Sequence, residues 1–144
     1  MSKSSISLDG EKALLAALRD MSDDIAEAVA EVVQKTAAEI EAGGKLRMQQ
    51  GPATGRTYKR GKVVHRASDP GEPPAPDTGA LIGSIYHEKT GRLSAVVGSR
   101  LAYAAFLEWG TFKMEPRPAW DPEVDKARSQ FITDVENALG AAIK

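Results

Sequence analysis

The chain has 144 residues, 42% of them hydrophobic and 27% charged, the make-up of one folded domain with a single sizeable core rather than of a disordered chain or of two catalytic domains. Nineteen Lys and Arg against twenty Asp and Glu leave a formal charge of -1, which excludes a generic polycation that coats nucleic acid but allows a local basic patch. Cysteine is absent, excluding disulfides, thiolate nucleophiles and Cys-ligated metals.

No run approaches the roughly 18 apolar residues of a membrane span, and no apolar stretch follows Met1–Ser5, so the chain is expected to fold in the cytoplasm. Ile6–Leu8 reads as extended, and Asp9-Gly10 as a turn. Leu14, Leu18, Met21 and Ile25 recur at helical spacing, and Val29, Val33, Ala37 and Ile40 continue the stripe. Ser22, Asp23 and Asp24 interrupt it, which predicts a short helix near 11 to 20 and a longer one from about 23 to 42, ended at Gly43-Gly44. From Asp9 to Glu41 nine acids face three bases, a net of -6; a solvated helix face is the plain reading.

Residues 51–79 hold five of the eight prolines and five glycines, which predicts an extended loop or arm instead of a long helix or central strand. Between Arg56 and Arg66 it carries Arg56, Lys59, Arg60, Lys62 and Arg66 with no acid, a local charge of +5. Loops of this length are functional, or ordered only on binding.

Asp77 or Thr78 is expected to cap a short helical turn holding Leu81 and Ile82. Ser84–Glu88 and Leu93–Gly98 read as a hairpin turning at Thr90-Gly91. Tyr103–Trp109 has the spacing of a short amphipathic helix stopped by a left-handed Gly110. Pro122 suits the first turn of a last helix capped by Asp121, with Val124, Ala127, Phe131, Val135 and Leu139 inward. The expected fold is α+β in one domain: N-terminal and C-terminal helices packed on a small antiparallel sheet, with a long Pro/Gly-rich basic loop.

A catalytic or metal constellation does not emerge. His65 and His87 are the only histidines, neither at a spacing that a triad or metal demands, and HExxH, GxSxG and phosphate-loop motifs are missing. The expectation is a protein that is not an enzyme and uses no cofactor. The basic segment is the stronger feature. Tyr58 among Arg56, Lys59 and Arg60 suits a phosphate backbone with the ring on a base; the same cations equally suit the acidic helix face of a neighbouring copy. Glu108 is expected to pair with Arg117, and Trp109 to anchor the core or a subunit interface.

The ordered set Thr54–Arg60, His65–Leu81, Ser84-Ile85, Val97-Gly98, Tyr103-Ala104, Leu107–Thr111 and Arg117-Pro118 resembles the head-tail joining family of long-tailed double-stranded DNA phages, named for gene product ten of a lambda-like phage. The resemblance implies a minor virion protein of the neck or tail-completion type, with a tail terminator as the close alternative and a sequence-independent DNA-binding module as the remoter one. It implies a ring of identical copies at the virion head-tail joint. The partners would be head connector or head-closure proteins on one side and tail terminator or tail tube on the other, with DNA in the lumen and no membrane. The arm from Arg56 to Pro76, with Glu108, Trp109 and Arg117, would supply the contacts.

Overall fold

The structure, a computed structural model, describes residues 4–7 and 23–143. The turn expected at Asp9-Gly10 and the short helix expected near 11 to 20 lie outside the described residues. The elements run β1 (Ser4–Ser7), α1 (Asp23–Gln50), β2 (Thr57–Arg60), β3 (Val63–Arg66), α2 (Ala80–Ser84), β4 (Ile85–Gly91), β5 (Ser94–Ser99), α3 (Ala104–Trp109) and α4 (Asp121–Ala142). The fold is α+β, with helices at both ends of the described chain and small antiparallel sheets between them.

The main sheet has the order β1-β5-β4, antiparallel throughout, with β5 in the centre. Strand alternation puts Ala95, Val97 and Ser99 of β5 on one face, with Lys89, His87 and Ile85 of β4 beside them in register. That face and α4 both pack on α1. The buried positions of α1, Ala26, Val29, Ala30, Val33, Thr36, Ala37, Ile40, Gly44 and Met48, recur every three or four residues and so form a single stripe along the helix. Ile40, Met48, Ile85, Val97, Trp120 and Val124 form the larger core cluster, and Val29, Ala30 and Leu93 a smaller one. Of the expected inner face of α4, Val124 is buried, Ala127 and Phe131 pack on the larger cluster, and Val135 and Leu139 on the smaller.

Helix α1 does not stop at Gly43-Gly44 but continues to Gln50. The two glycines mark a close approach instead. A Cβ on Gly44 would stand 3.1 Å from Trp120 Cβ, and one on Gly43 would stand 2.5 Å from Glu123 Oε2. The start of α4 thus lies against bare helix backbone, and burial of Trp120 compensates for the lower helix propensity of glycine.

The 51–79 segment also differs from the loop without structure expected of it. β2 and β3 form an antiparallel hairpin closed by Gly61-Lys62, with Tyr58 opposite His65 and Arg60 opposite Val63. Gly61 has φ 63° at the first position of the two-residue turn, where a primed hairpin turn needs glycine. The flanks are tied to each other by Gly55 N–H donating to Ala67 O, and to the body by Gly71 N–H donating to Pro116 O. Ser68 and Pro74 are buried.

Candidate interaction surface

In a paired hairpin, opposite residues share a face. Tyr58, His65, Arg60 and Val63 lie on one face, and Thr57, Arg66, Lys59 and Val64 on the other. The first face turns toward the body. Arg60 Nη1 lies 2.8 Å from Asp77 Oδ2, His65 Nδ1 lies 3.8 Å from Asp77 Oδ1, and the Tyr58 ring meets the His65 ring edge-on at 5.1 Å. Asp77 therefore pins the hairpin to the stretch before α2. Arg66 is also engaged, donating from Nε to Gly55 O and from Nη2 to Thr54 O at the hairpin base. Arg56, Lys59 and Lys62 are exposed and make no ion pair among the described residues. Beside them stand Val63 and Val64, 63% and 65% exposed.

Under the hairpin lies a cleft of about 250 Å³. Met48, Leu81, Ile82 and Leu107 give it apolar lining, Tyr58 and Tyr103 add aromatic rings, and Arg60, Asp77 and Arg117 add charge. Glu72 stands near Arg117. Hydrogen bonds from the Asp69 amide and the Thr54 hydroxyl hold its carboxyl below the ordinary range, with the Arg117 charge adding to them.

Glu108 does not pair with Arg117. It is 2% exposed, and its carboxylate accepts the amides of Ala119 (2.8 Å), Trp120 (3.1 Å) and Asp121 (2.5 Å). Asp121, expected to cap α4, is instead its first residue, with no side-chain cap bond from the preceding Trp120. A carboxylate from another helix fills that role and satisfies amides that α4 leaves open. Burial pushes the Glu108 carboxyl above its ordinary pKa, and the three amide bonds oppose the shift. Arg117 instead donates its backbone N–H to Leu107 O at 2.6 Å, and its Nε is buried without a partner.

Gly110 ends α3 with φ 74° and ψ -179°, a glycine-only conformation distinct from the left-handed cap expected. A Cβ there would meet Met114 O at 2.7 Å. Trp109 is 48% exposed and so is not a core residue. With Tyr103 and Phe106, three residues apart in turn, it forms an exposed aromatic strip on α3. Phe112, 95% exposed, continues beyond it. The buried tryptophan is Trp120, which sequence reasoning did not single out; its place next to the proline-flanked start of α4 is the signal available for it.

Among the described residues no group of three or more His, Cys, Asp or Glu side chains gathers to hold a metal, and no helix is long and apolar enough to cross a membrane. Among families of known proteins, the one described as "Bacteriophage HK97-gp10, putative tail-component" matches residues 12–110. No curated protein and no solved structure matches the chain.

Proposed function

Because the chain belongs to the HK97-gp10-like family of bacteriophage tail components, we propose that it is a structural subunit of the head-tail joint, a neck or tail-completion protein that acts by assembly and not by catalysis. The observation that carries this reading is the surface of α3 and the following turn. Tyr103, Phe106, Trp109 and Phe112 stand in water together on a domain that buries its other tryptophan fully. Aromatic side chains exposed in a group are the mark of an interface core, where they supply most of the binding energy.

Joints of this kind are closed rings, in which each copy presents one face to the next copy and a different face to the layers above and below. The unpaired cations Arg56, Lys59 and Lys62 serve the neighbouring copy in this arrangement, since Asp24, Glu27 and Glu31 of α1 are exposed and make no ion pair among the described residues. The same cations support a second reading in which the hairpin tip faces DNA in the lumen.

The test is deletion with complementation in the phage or prophage that encodes the chain. Particles lacking it are expected to accumulate as separate heads and tails, and the wild-type gene to restore infectivity. Undiminished infectivity after deletion overturns the proposal. Salt-sensitive DNA binding by the free protein, lost on changing Arg56, Lys59 and Lys62 together to Ala, is the result that favours the lumen reading.

A further inference from the structure

The β2–β3 hairpin is fastened differently at its base and along its strands. At the base, Gly55 N–H donates to Ala67 O at 2.8 Å and Ala67 N–H to Arg56 O at 3.0 Å. Arg66 reaches back to Thr54 and Gly55, and the Thr54 hydroxyl lies 2.9 Å from Asp69 Oδ2 and 2.7 Å from Glu72 Oε1. Ser68, next to Ala67 on the outgoing side, is 1% exposed. The base is therefore fixed. Beyond it the strands pair only with each other. Every strand residue except His65 is exposed, and none belongs to either core cluster. A two-stranded ribbon of this length has marginal stability of its own. Among the described residues, the polar side-chain contacts that join the strands to the body all end on Asp77: Arg60 Nη1 at 2.8 Å and His65 Nδ1 at 3.8 Å.

We propose that the hairpin is a strap latched by Asp77, which lifts from the body about its fixed base when the ion pair to Arg60 is broken. With 60% of the Arg60 side chain exposed, that pair is a weak latch. Contacts of this strength permit local opening at a free energy well below that of unfolding the core. Lifting has two consequences. It unroofs the cleft of about 250 Å³, drawing Tyr58, Arg60 and His65 away from Leu81, Ile82 and Tyr103. It also releases Arg60 to stand outward with Arg56, Lys59 and Lys62, so the strap carries four free cations where three were free before. The strap is a property of the single chain, whichever surface the hairpin meets in the particle, and so stands or falls apart from the joint-subunit reading.

A single thiol can report the cleft, because the chain has no cysteine. Ala75 lines the cleft and is half-buried, and Ala75→Cys adds only a sulfur atom there. The rate at which iodoacetamide, an uncharged reagent, labels that thiol follows the fraction of time the strap is lifted. Asp77→Ala in this background is expected to speed labelling about two- to fivefold, the range an exposed ion pair spans. Arg60→Gln, on a side chain outside every core, is expected to act in the same direction. Combining the two is expected to add little to Asp77→Ala alone, because both remove one contact. Salt at about 1 M, where screening acts over about 3 Å, is expected to speed labelling while Asp77 is present and to change nothing in Asp77→Ala. Thermal unfolding of each variant is expected to match that of Ala75→Cys alone, which separates lifting from loss of the fold. Labelling that is equal in all variants and indifferent to salt overturns the proposal and assigns the docking to the underside of the hairpin. Effects of Arg60→Gln and Asp77→Ala that multiply in full overturn it as well, since the two residues would then act independently. Labelling that quickens only in step with a lower melting temperature also overturns it, because Asp77 would then hold the fold and not the strap. Labelling of Ala75→Cys as fast as in the urea-unfolded chain overturns it by showing that the strap is never closed.

Discussion

Glu108 shows how one side chain can organise a segment well away from it in sequence. Its carboxylate satisfies three amides at the start of α4, so Glu108→Ala leaves buried donors without acceptors and is expected to cost about 2–3 kcal/mol in a denaturant titration. Glu108→Gln keeps one acceptor oxygen and is expected to cost about 1 kcal/mol. The two variants also separate charge from geometry. Burial raises the Glu108 pKa, so the folded state holds its proton to higher pH than the unfolded chain does. The resulting contribution to stability is greatest below the ordinary carboxylate range and falls as pH rises through the raised pKa. Glu41 acts with the opposite sign. Burial raises its pKa, but hydrogen bonds from Lys45 and His87 outweigh burial and leave it lowered, so its contribution is lost as pH falls. The difference in melting temperature between wild type and Glu108→Gln isolates the first effect, and it is expected to shift against the wild type as pH rises through the raised pKa. A difference flat with pH would show that the buried carboxyl titrates normally.

At the scale of elements, periodicity predicted the helices and the β4–β5 hairpin because each buries one face against a neighbour. Where it failed, the cause was tertiary. Gly43-Gly44 looks like a helix end to any local rule, yet the start of α4 needs that bare backbone. Gly44→Val is expected to cost about 1–3 kcal/mol by overpacking against Trp120. Gly43→Ala meets only the carboxylate end of Glu123, which can swing aside, and is expected to fall within about 1 kcal/mol of wild type because alanine gains in helix propensity. Equal losses at both positions in chemical denaturation would refute the close-approach account. The β2–β3 hairpin was within reach of the sequence, since a Gly-X pair separates Tyr58–Arg60 from the β-branched Val63 and Val64. The prolines that flank it, with its own charges, masked that signal. Asp77, the residue that docks the hairpin, is twelve positions from His65 and seventeen from Arg60, and local patterning carries no information about such a contact.

For the molecule as a whole, the sequence showed the fold class and the +5 segment but not which cations are spent inside. Arg60 and Arg66 hold the hairpin in place, while Arg56, Lys59 and Lys62 remain outward. The aromatic residues divide in the same way, Trp120 inward and Trp109 outward, and only the packed structure assigns them. If the outward cations meet the acidic α1 face of a neighbour, self-association weakens as salt rises, because exposed charges are screened over about 10 Å at 0.1 M. The Arg56, Lys59 and Lys62 triple Ala variant is then expected to associate more weakly and with little salt dependence, as read from mass at low and high salt. A salt response unchanged by the triple substitution would assign the electrostatics to other residues.

The bonds of Glu108 to Ala119–Asp121 close a bight of chain from Trp109 to Pro118, clasped at its neck again by Arg117 N–H on Leu107 O. Phe112 thus rides on a loop whose closure is part of the folding of the core. Opening the clasp at Glu108 would free the loop while leaving every surface residue in place. Hydrogen exchange would then quicken at Gly110–Met114 while the β5 amides kept their protection.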